Sequence, residues 1–349
     1  MKSNAFDYII VGAGSSGSLL ASRLSKNKGL KICLLEAGPP DTYPFIHMPA
    51  GFIKLIFNPE VTWGFSSEPS PHINNRSVPA FQGKVVGGSA SINGMIYVRG
   101  QSQDYDDWET DGNSGWSYQD VLPYFKKTES LMTPGDSAFR GFDGSMPVTH
   151  LTWKNDLVSA FIEAAKAAGI PENKDYNGVT QEGVGVYQSN IGRGYRKGSA
   201  QAYLKDALKN SKIDLRTNAV ATGLIFDNHG VSGVHYSSDK GATVQSVFAS
   251  KQVVLCCGAI NTPRLMIVSG LGDPEHLRDI GAPLRHDLKG VGQNLRDHYT
   301  TRFTSRVSGA QTINGIANSK PKLLWEGVKW LSGAPSILGM GVVLAGAFC

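Results

Sequence analysis

One unit near the start of the chain restricts the fold more than any other feature. A nearly continuous apolar run, residues 6–11, leads into the glycine loop Gly12-x-Gly14-x-x-Gly17, then into apolar residues at helical spacing up to Leu24. A second apolar run, residues 30–35, ends at Glu36. Apolar runs without alternation are typical of parallel strands buried on both faces. The pattern predicts a strand–helix–strand unit, and with it an α/β fold built on a doubly wound parallel sheet.

The spacing of the glycines in this loop predicts a dinucleotide site. Gly12 permits the tight turn, Gly14 lets the backbone approach a pyrophosphate at the helix N-terminus, and Gly17 lets the helix pack on the strand. Glu36, at the end of the second strand, can accept hydrogen bonds from ribose hydroxyls. The competing interpretation is a purely structural glycine turn. The loop by itself does not separate NAD from FAD.

A second glycine-rich stretch covers residues 83–95 and contains Gly87-Gly88 among small side chains. Small residues suit a backbone that lies against a flat anionic ligand. An ordinary Gly/Ser loop explains the same composition equally well.

Composition and charge exclude several classes. The chain has 349 residues, 18% of them charged, with 34 Lys and Arg against 29 Asp and Glu. Its net charge of +5 is scattered, so no nucleic-acid partner is expected. The four cysteines lack metal-ligand spacing and predict buried free thiols, with no metal site. No apolar stretch reaches the ~18 residues of a membrane helix, and the first apolar run is too short for a secretory signal. We therefore expect a cytoplasmic protein, with peripheral attachment at the inner membrane left open.

Periodicity predicts further elements along the chain. Helices are expected near residues 117–129 and 156–168, and over 199–208 with Ser199 as the cap. Strands are expected at residues 213–217, 220–226, 231–237, 244–248 and 253–257.

A series of motifs resembles the glucose–methanol–choline (GMC) oxidoreductases, a family of FAD-dependent alcohol oxidases and dehydrogenases. The motifs are residues 7–14 with 34–38, residues 83–93 with 97–100 and 104–108, and residues 115–125, 258–272 and 290–298. The resemblance extends from residue 5 to about residue 300. Within the family, Ile46-His47-Met48-Pro49 and Trp63-Gly64-Phe65 look closest to choline dehydrogenase-like and alcohol dehydrogenase (acceptor) members.

The resemblance implies where FAD is held. The first glycine loop would meet the pyrophosphate, Glu36 the ribose and the backbone of Val220 the adenine. Val85 and residues 93–96 would lie beside the pyrophosphate and isoalloxazine. Some members attach FAD through a His at the position of Asn93, and an amide cannot do so, which predicts non-covalent FAD. The predicted cofactor residues are Gly12, Gly14, Ser15, Ser16, Gly17, Glu36, Val85, Asn93, Gly94, Met95, Ile96 and Val220.

The resemblance also implies two discontinuous domains. Residues 1–152 and 190–298 would form the FAD-binding domain, and residues 153–189 and 299–349 a substrate domain with an antiparallel sheet. Family members are considerably longer, so we expect a C-terminally truncated chain with an incomplete substrate domain. The family's catalytic His and its His or Asn partner would lie beyond Cys349, and no catalytic residue is predicted within the chain.

The implied activity is oxidation of a primary alcohol, choline-like, aliphatic or aromatic, to the aldehyde. Hydride passes from the carbinol carbon to flavin N5, with a histidine as base. The partners would be a small alcohol and an electron acceptor, either oxygen, a quinone or another. Three alternatives stay open: a hydroxynitrile lyase of the same family, an NAD(P)H-dependent flavin reductase, and an inactive truncated product. The reductase would need a second dinucleotide loop, which the sequence lacks.

Overall fold

The structure, a computed structural model, describes residues 4–151, 153–238, 243–298 and 300–349. By their contacts these residues divide into two compact units. Unit 1 comprises Met1–Thr42, Leu55–Ile92 and Ser199–Phe303, and unit 2 comprises Tyr43–Lys54, Asn93–Gly198 and Thr304–Cys349. Residues 93–151, which the sequence division placed in the FAD-binding domain, cluster with unit 2. The assignment of cofactor and substrate roles to particular segments stays a prediction.

The described residues form strands and mostly short helices. The strands are β1 (Ala5–Val11), β2 (Ile32–Leu35), β3 (Phe65–Ser66), β4 (Pro79–Ala80), β5 (Glu129–Leu131), β6 (Met146–His150), β7 (Gly183–Val186), β8 (Gln188–Ser189), β9 (Ile191–Gly192), β10 (Tyr195–Arg196), β11 (Ile213–Arg216), β12 (Val220–Asp227), β13 (Gly230–Ser238), β14 (Thr243–Leu255), β15 (Leu271–Gly272), β16 (His286–Asp287) and β17 (Ala345–Phe348). The α-helices are α1 (Ser15–Leu24), α2 (Pro44–His47), α3 (Phe52–Leu55), α4 (Ser102–Thr110), α5 (Tyr118–Thr128), α6 (Asp156–Ala167), α7 (Lys205–Asn210), α8 (Gly258–Val268), α9 (Pro274–Asp279), α10 (Ile313–Ala317) and α11 (Lys320–Leu331).

Unit 1 is organised around a six-stranded sheet in the order β11-β2-β1-β14-β13-β12. The first four strands run parallel, and β13 and β12 are added antiparallel. The predicted strand–helix–strand unit is present as β1, α1 and β2. The α/β prediction with a largely parallel sheet is confirmed.

Successive residues of β1 point to opposite faces of this sheet, and both faces are covered. Ile9 and Val11 belong to a core that includes Leu265 of α8. Ile10 belongs to a second core with Ala21 of α1. Because both faces are buried, β1 has the unbroken apolar sequence that predicted it.

Strand β14 joins the two halves of the sheet. It runs unbroken over thirteen residues, pairing antiparallel with β13 up to Phe248 and parallel with β1 from there to Leu255. The sequence predicted two separate strands here. The exposed polar residues Ser250 and Lys251 break the apolar pattern, and the pairing with β1 shifts register at these two residues, but the strand continues through them.

Unit 2 contains small sheets and a buried ionic cluster. Strand β5 pairs parallel with β6, β6 pairs antiparallel with β8, and β7 pairs antiparallel with β17. The fully buried carboxylate of Glu129 forms ion pairs with Arg99 and Arg140. Arg140 also pairs with Asp175, so the cluster contains two arginines and two acids. Removing either arginine would leave the buried Glu129 short of a partner, which is costly in a protein interior.

Three predicted helices can be compared with the structure. Those near residues 117–129 and 156–168 are confirmed as α5 and α6, with Ser117 capping α5. The third prediction is wrong in detail: residues 200–204 form a π-helix that continues into α7, and Ser199 does not cap it. Among the described residues, none of the helices combines the length and hydropathy that crossing a bilayer requires.

Candidate functional site

A cavity of about 690 Å³ opens at the carboxyl ends of the parallel strands in unit 1. Val11, Leu35 and Leu255, the last residues of β1, β2 and β14, all line it. In open α/β sheets ligands bind outside the carboxyl ends of the strands. The cavity is therefore where the topology alone would place a ligand.

The first glycine loop forms one wall, and two of its glycines are required by close packing. Gly12 has φ +101°, and a Cβ there would lie 2.3 Å from the carbonyl oxygen of Cys256. A Cβ on Gly17 would lie 1.9 Å from the carbonyl oxygen of Gly12. No side chain fits at either position, so α1 can begin directly above the turn.

The second glycine stretch packs against the first. The Gly87 N–H donates to the carbonyl oxygen of Ala13 at 2.8 Å. A Cβ on Gly88 would lie only 2.8 Å from the Cα of Gly14. Gly14 and Gly88 both line the cavity. Gly83, Gly88 and Ser89 of this stretch line the cavity, and the ligand-facing interpretation of residues 83–95 stays a prediction.

Two helices begin at this cavity without a side-chain cap. Helix α1 follows Gly14 and α8 follows Cys257, and neither has an acidic residue in its first turn. Ser15 and Ser16 of α1 and Asn261 of α8 line the cavity. The uncapped N–H groups and the positive ends of the helix dipoles favour an anion.

Glu36 is the acid that lines the cavity, and the residue is only 6% exposed. The Ala13 N–H donates to its Oε2 at 2.9 Å and the Gly38 N–H to its Oε1 at 2.9 Å. The Ala37 N–H is a third backbone partner, and the carboxyl oxygens keep acceptor capacity for a ligand hydroxyl. Burial raises the pKa of Glu36 to about 7, although these backbone donors and Lys84 act in the opposite direction.

The structure brings together half of the predicted cofactor residues. Those that line the cavity are Gly12, Gly14, Ser15, Ser16, Glu36 and Val220. Gly17 and Val85 belong to unit 1 but lie behind the lining, as packing positions. The remaining four, Asn93, Gly94, Met95 and Ile96, belong to unit 2.

Within unit 2 a buried arginine holds the segment that contains those four residues. Arg196 is 1% exposed, and its Nη1 donates to both the carbonyl oxygen and Oδ1 of Asn93, each at 2.8 Å. Its Nε donates to the carbonyl oxygen of Ile46 at 2.8 Å. Burial lowers the pKa of Arg196 to about 10. Next along the segment, Met95 is fully buried with φ +63°, a conformation that L residues rarely adopt.

Sequence reasoning did not assign several residues of the cavity wall. Trp63 and Phe65 line the cavity with their rings stacked 5.6 Å apart, and the ammonium of Lys84 lies 5.1 Å from the Trp63 ring. Arg264, an exposed cation of α8, lines it as well. The Trp63-Gly64-Phe65 motif was noted only for its family resemblance. A pair of aromatic residues in a polar loop is the signal that could have identified it.

Cys257 lines the cavity too, and burial raises the pKa of its thiol to about 12. The expectation of buried thiols therefore holds only in part, because Cys256 and Cys257 are half-buried and Cys349 is exposed. At neutral pH the Cys257 thiol stays protonated, which gives it no nucleophilic role.

The lining of this cavity fits FAD. The uncapped helix N-termini suit a pyrophosphate, the buried carboxyl of Glu36 suits ribose hydroxyls, and the glycine cradle lets a ligand approach the backbone. Stacked aromatic side chains at the wall suit a flat ring.

Known proteins resemble the chain in sequence and in structure. The GMC oxidoreductase family model matches residues 6–300. An oxygen-dependent choline dehydrogenase of Sinorhizobium fredii is 42% identical over 324 residues, which make up 93% of this chain and 56% of the relative. An alcohol dehydrogenase (acceptor) of Pseudomonas putida is 42% identical, over 90% of this chain and 57% of the relative.

A solved structure of an FAD-dependent oxidoreductase from Chaetomium thermophilum superposes with a TM-score of 0.88 at 28% identity, covering 97% of this chain and 61% of that one. The chain thus spans little more than half the length of the relatives it matches. The family model, by contrast, matches most of the chain, in agreement with the motifs and with the cavity. The chain belongs to the GMC oxidoreductase family.

Proposed function

We propose that the protein serves the FAD-dependent oxidation of a primary alcohol to the aldehyde, with choline-like alcohols as the first substrates to test. The observation that carries this proposal is the unit 1 cavity, where two glycine loops, two uncapped helix N-termini and Glu36 meet. The printed names of the relatives, choline dehydrogenase and alcohol dehydrogenase, supply the substrate class. Those names do not favour the hydroxynitrile lyase alternative.

In this proposal the chain's own residues bind and orient the cofactor. The N-terminus of α1 would hold the pyrophosphate, Glu36 would accept hydrogen bonds from ribose hydroxyls, and the backbone at Val220 would meet the adenine. Residues 93–96 would lie beside the ring system, and the attachment would be non-covalent because Asn93 has no nucleophilic ring nitrogen. Bound FAD supplies the hydride acceptor for the carbinol carbon.

No residue of this chain is assigned as the base that takes the hydroxyl proton. All eight histidines fall among the described residues, and none of them lines the cavity. His150, for example, contacts the Thr133 hydroxyl and the Gln188 amide within unit 2. We place the base beyond Cys349, as the family resemblance implies.

The electron acceptor and the location complete the proposal. Oxygen, a quinone and another acceptor remain candidates for reoxidation of the flavin. We place the protein in the cytoplasm, with peripheral attachment to the inner membrane as its alternative location.

The first test is the visible spectrum of the purified chain after FAD loading, before and after anaerobic addition of choline or butanol. We expect bound flavin that is not bleached by the alcohol, because the cofactor residues are present and no base is assigned. Rapid bleaching would contradict the absence of a base. Failure of the parent chain to retain FAD would contradict the cavity assignment, and heat-denatured chain is the blank. Glu36→Gln should retain less FAD than the parent, whereas Glu68→Gln, which changes an exposed acid, is the matched control.

A further inference from the structure

Three asparagines of the chain are followed by glycine, and they lie in different surroundings. The pairs are Asn93-Gly94, Asn177-Gly178 and Asn314-Gly315, all of them in unit 2. Because glycine has no side chain to shield its nitrogen, that nitrogen can attack the amide carbon of the asparagine and close a five-membered ring. The conformation and the hydrogen bonds of each pair decide whether this happens in the folded chain.

The side chain of Asn93 is folded back along its own backbone. The Met95 N–H donates to Asn93 Oδ1 at 3.1 Å, which closes a turn around the Gly94 peptide. Within the described part of the chain the Gly94 N–H makes no hydrogen bond, so no contact opposes the loss of its proton. A Cβ on Gly94 would lie 2.8 Å from Cγ2 of Val342, so packing requires a glycine after Asn93.

Two donors point at the oxygen on which negative charge develops when the amide carbon is attacked. Arg196 Nη1 donates to Asn93 Oδ1 at 2.8 Å, and the Met95 N–H donates to the same atom at 3.1 Å. Paired donors at such distances stabilise the oxyanion of a tetrahedral intermediate. Arg196 is 1% exposed, and a charged donor acts more strongly where water is excluded.

We propose that Asn93 is a self-modification site, at which the chain converts this asparagine to an acid. The Gly94 nitrogen forms a bond to Cγ of Asn93, and the bond from Cγ to Nδ2 breaks. The Gly94 N–H proton leaves with the departing group as ammonia, and a succinimide remains. Water then opens the ring to aspartate or isoaspartate, so the conversion needs neither an oxidant nor a reductant.

The aspartate product gains an ion pair. A carboxylate at position 93 places a negative charge against the buried guanidinium of Arg196. Cyclisation joins neighbouring atoms of one chain and consumes one water molecule, so it requires no free surface around Asn93. The inference does not depend on the proposed oxidation, although the new acid would stand in the segment proposed to lie beside the flavin.

The Asn177-Gly178 pair is held against the same reaction. Asn177 is 3% exposed, and its Nδ2, the group that would leave, donates to Gln188 Oε1 at 2.9 Å. The Gly178 N–H donates to the carbonyl oxygen of Asp175 at 2.9 Å. Attack would therefore break hydrogen bonds of both the nucleophile and the leaving group, which is costly in a protein interior.

The Asn314-Gly315 pair lies inside helix α10. The Gly315 N–H donates to Thr312 Oγ1 at 3.1 Å. In a helix the Cβ atoms tilt towards the N-terminus, which turns the asparagine side chain away from the next peptide nitrogen. Both of these pairs are internal controls for Asn93.

The test follows the three asparagines by peptide mass spectrometry during incubation of the purified chain, either folded or unfolded in guanidinium chloride. In the folded chain we expect Asn93 to convert at least about tenfold faster than in the denaturant. Asn177 and Asn314 should convert more slowly in the folded chain, and all three rates should converge in the denaturant. Isoaspartate together with aspartate at position 93 identifies the cyclic route, and aspartate alone would overturn it.

The variant that tests the oxyanion donor is Arg196→Lys, which keeps the charge but not the planar fork. Its Asn93 should convert at least about tenfold more slowly than that of the parent chain, towards the rate in the denaturant. Arg193→Lys makes the same change at an exposed arginine of unit 2 and should leave the rate unchanged. Asn93→Asp supplies the product standard. The proposal is overturned if Asn93 converts no faster in the folded parent than in the denaturant, or if Arg196→Lys converts at the parent rate.

Discussion

A buried carboxyl group at the end of β2 makes the stability of unit 1 depend on pH. The pKa of Glu36 in the folded chain is about 7, against an ordinary value of 4.5 that applies in the unfolded chain. Between these values the folded state keeps a proton that the unfolded state loses, so stability falls as pH rises through this window. The loss approaches about 3 kcal/mol above pH 7.

Glu36→Gln should remove this dependence. We expect the difference in unfolding free energy between pH 5 and pH 8, measured by urea denaturation, to shrink in the variant. The variant is also less stable at pH 5, by about 1–3 kcal/mol, because an amide nitrogen now faces a backbone N–H. Glu68→Gln, at an exposed acid, should keep the parent slope. A parent slope in Glu36→Gln would assign the titration to another group.

Arg196 is the residue on which the order of residues 93–96 depends. Arg196→Met leaves the carbonyl oxygens of Ile46 and Asn93 without this donor and should destabilise unit 2 by about 3 kcal/mol. Amide exchange of residues 93–96 should accelerate beyond the global effect. Arg196→Lys keeps the charge but not the planar fork and should recover only part of the loss. Lys174→Met, at an exposed lysine, is the control, and equal exchange in both methionine variants would refute the anchoring role.

At the scale of elements, Gly17 and Gly14 of the first glycine loop allow the effect of a substitution on folding to be measured apart from its effect on ligand binding. A Cβ on Gly17 would meet backbone at 1.9 Å, whereas a Cβ on Gly14 finds its nearest neighbour at 3.9 Å. Gly17→Ala should therefore lose more than about 3 kcal/mol of stability. Gly14→Ala should keep its fold and weaken FAD binding, because Gly14 lines the cavity. Urea denaturation and fluorescence titration with FAD measure the two effects, and equal stability of both variants would contradict this packing.

The local sequence pattern predicted those elements whose contacts are with residues nearby in the sequence. Strand β1, helix α1 and strand β2 follow from apolar runs and a glycine loop, and Glu36 follows from its place after the second strand. The π-helix after Ser199 does not, because the Ser199 hydroxyl donates to the carbonyl oxygen of Gly87 at 3.1 Å instead of capping. The role of Arg196 was not predicted either, because its partners Ile46 and Asn93 are far away in sequence.

At the scale of the whole molecule, the division into units depends on contacts that no local pattern encodes. Residues 93–151 carry family motifs that suggested the cofactor domain, yet their contacts are made with unit 2. Buried ion pairs such as Arg140 with Glu129 and Asp175 join distant stretches of this unit. The cavity in unit 1 was predictable in outline, because one strand–loop–helix motif fixes the carboxyl edge of the sheet.

The predicted cofactor residues come from both units, and comparing two ligands tests whether they serve one cofactor. ADP carries the pyrophosphate, ribose and adenine but no flavin, so it should slow amide exchange in α1 and β2 only. FAD should slow exchange there and in residues 93–96 as well. At a ligand concentration of 100 times Kd, either ligand should raise the free energy of unfolding of the chain by about 2.7 kcal/mol. Amide exchange is measured by mass spectrometry on the parent chain and on Glu36→Gln. The variant should lose most of the protection that either ligand gives the parent chain. If FAD protects α1 and β2 while residues 93–96 exchange as before, those four residues are not cofactor residues, and the flavin end of the proposed site must be assigned elsewhere.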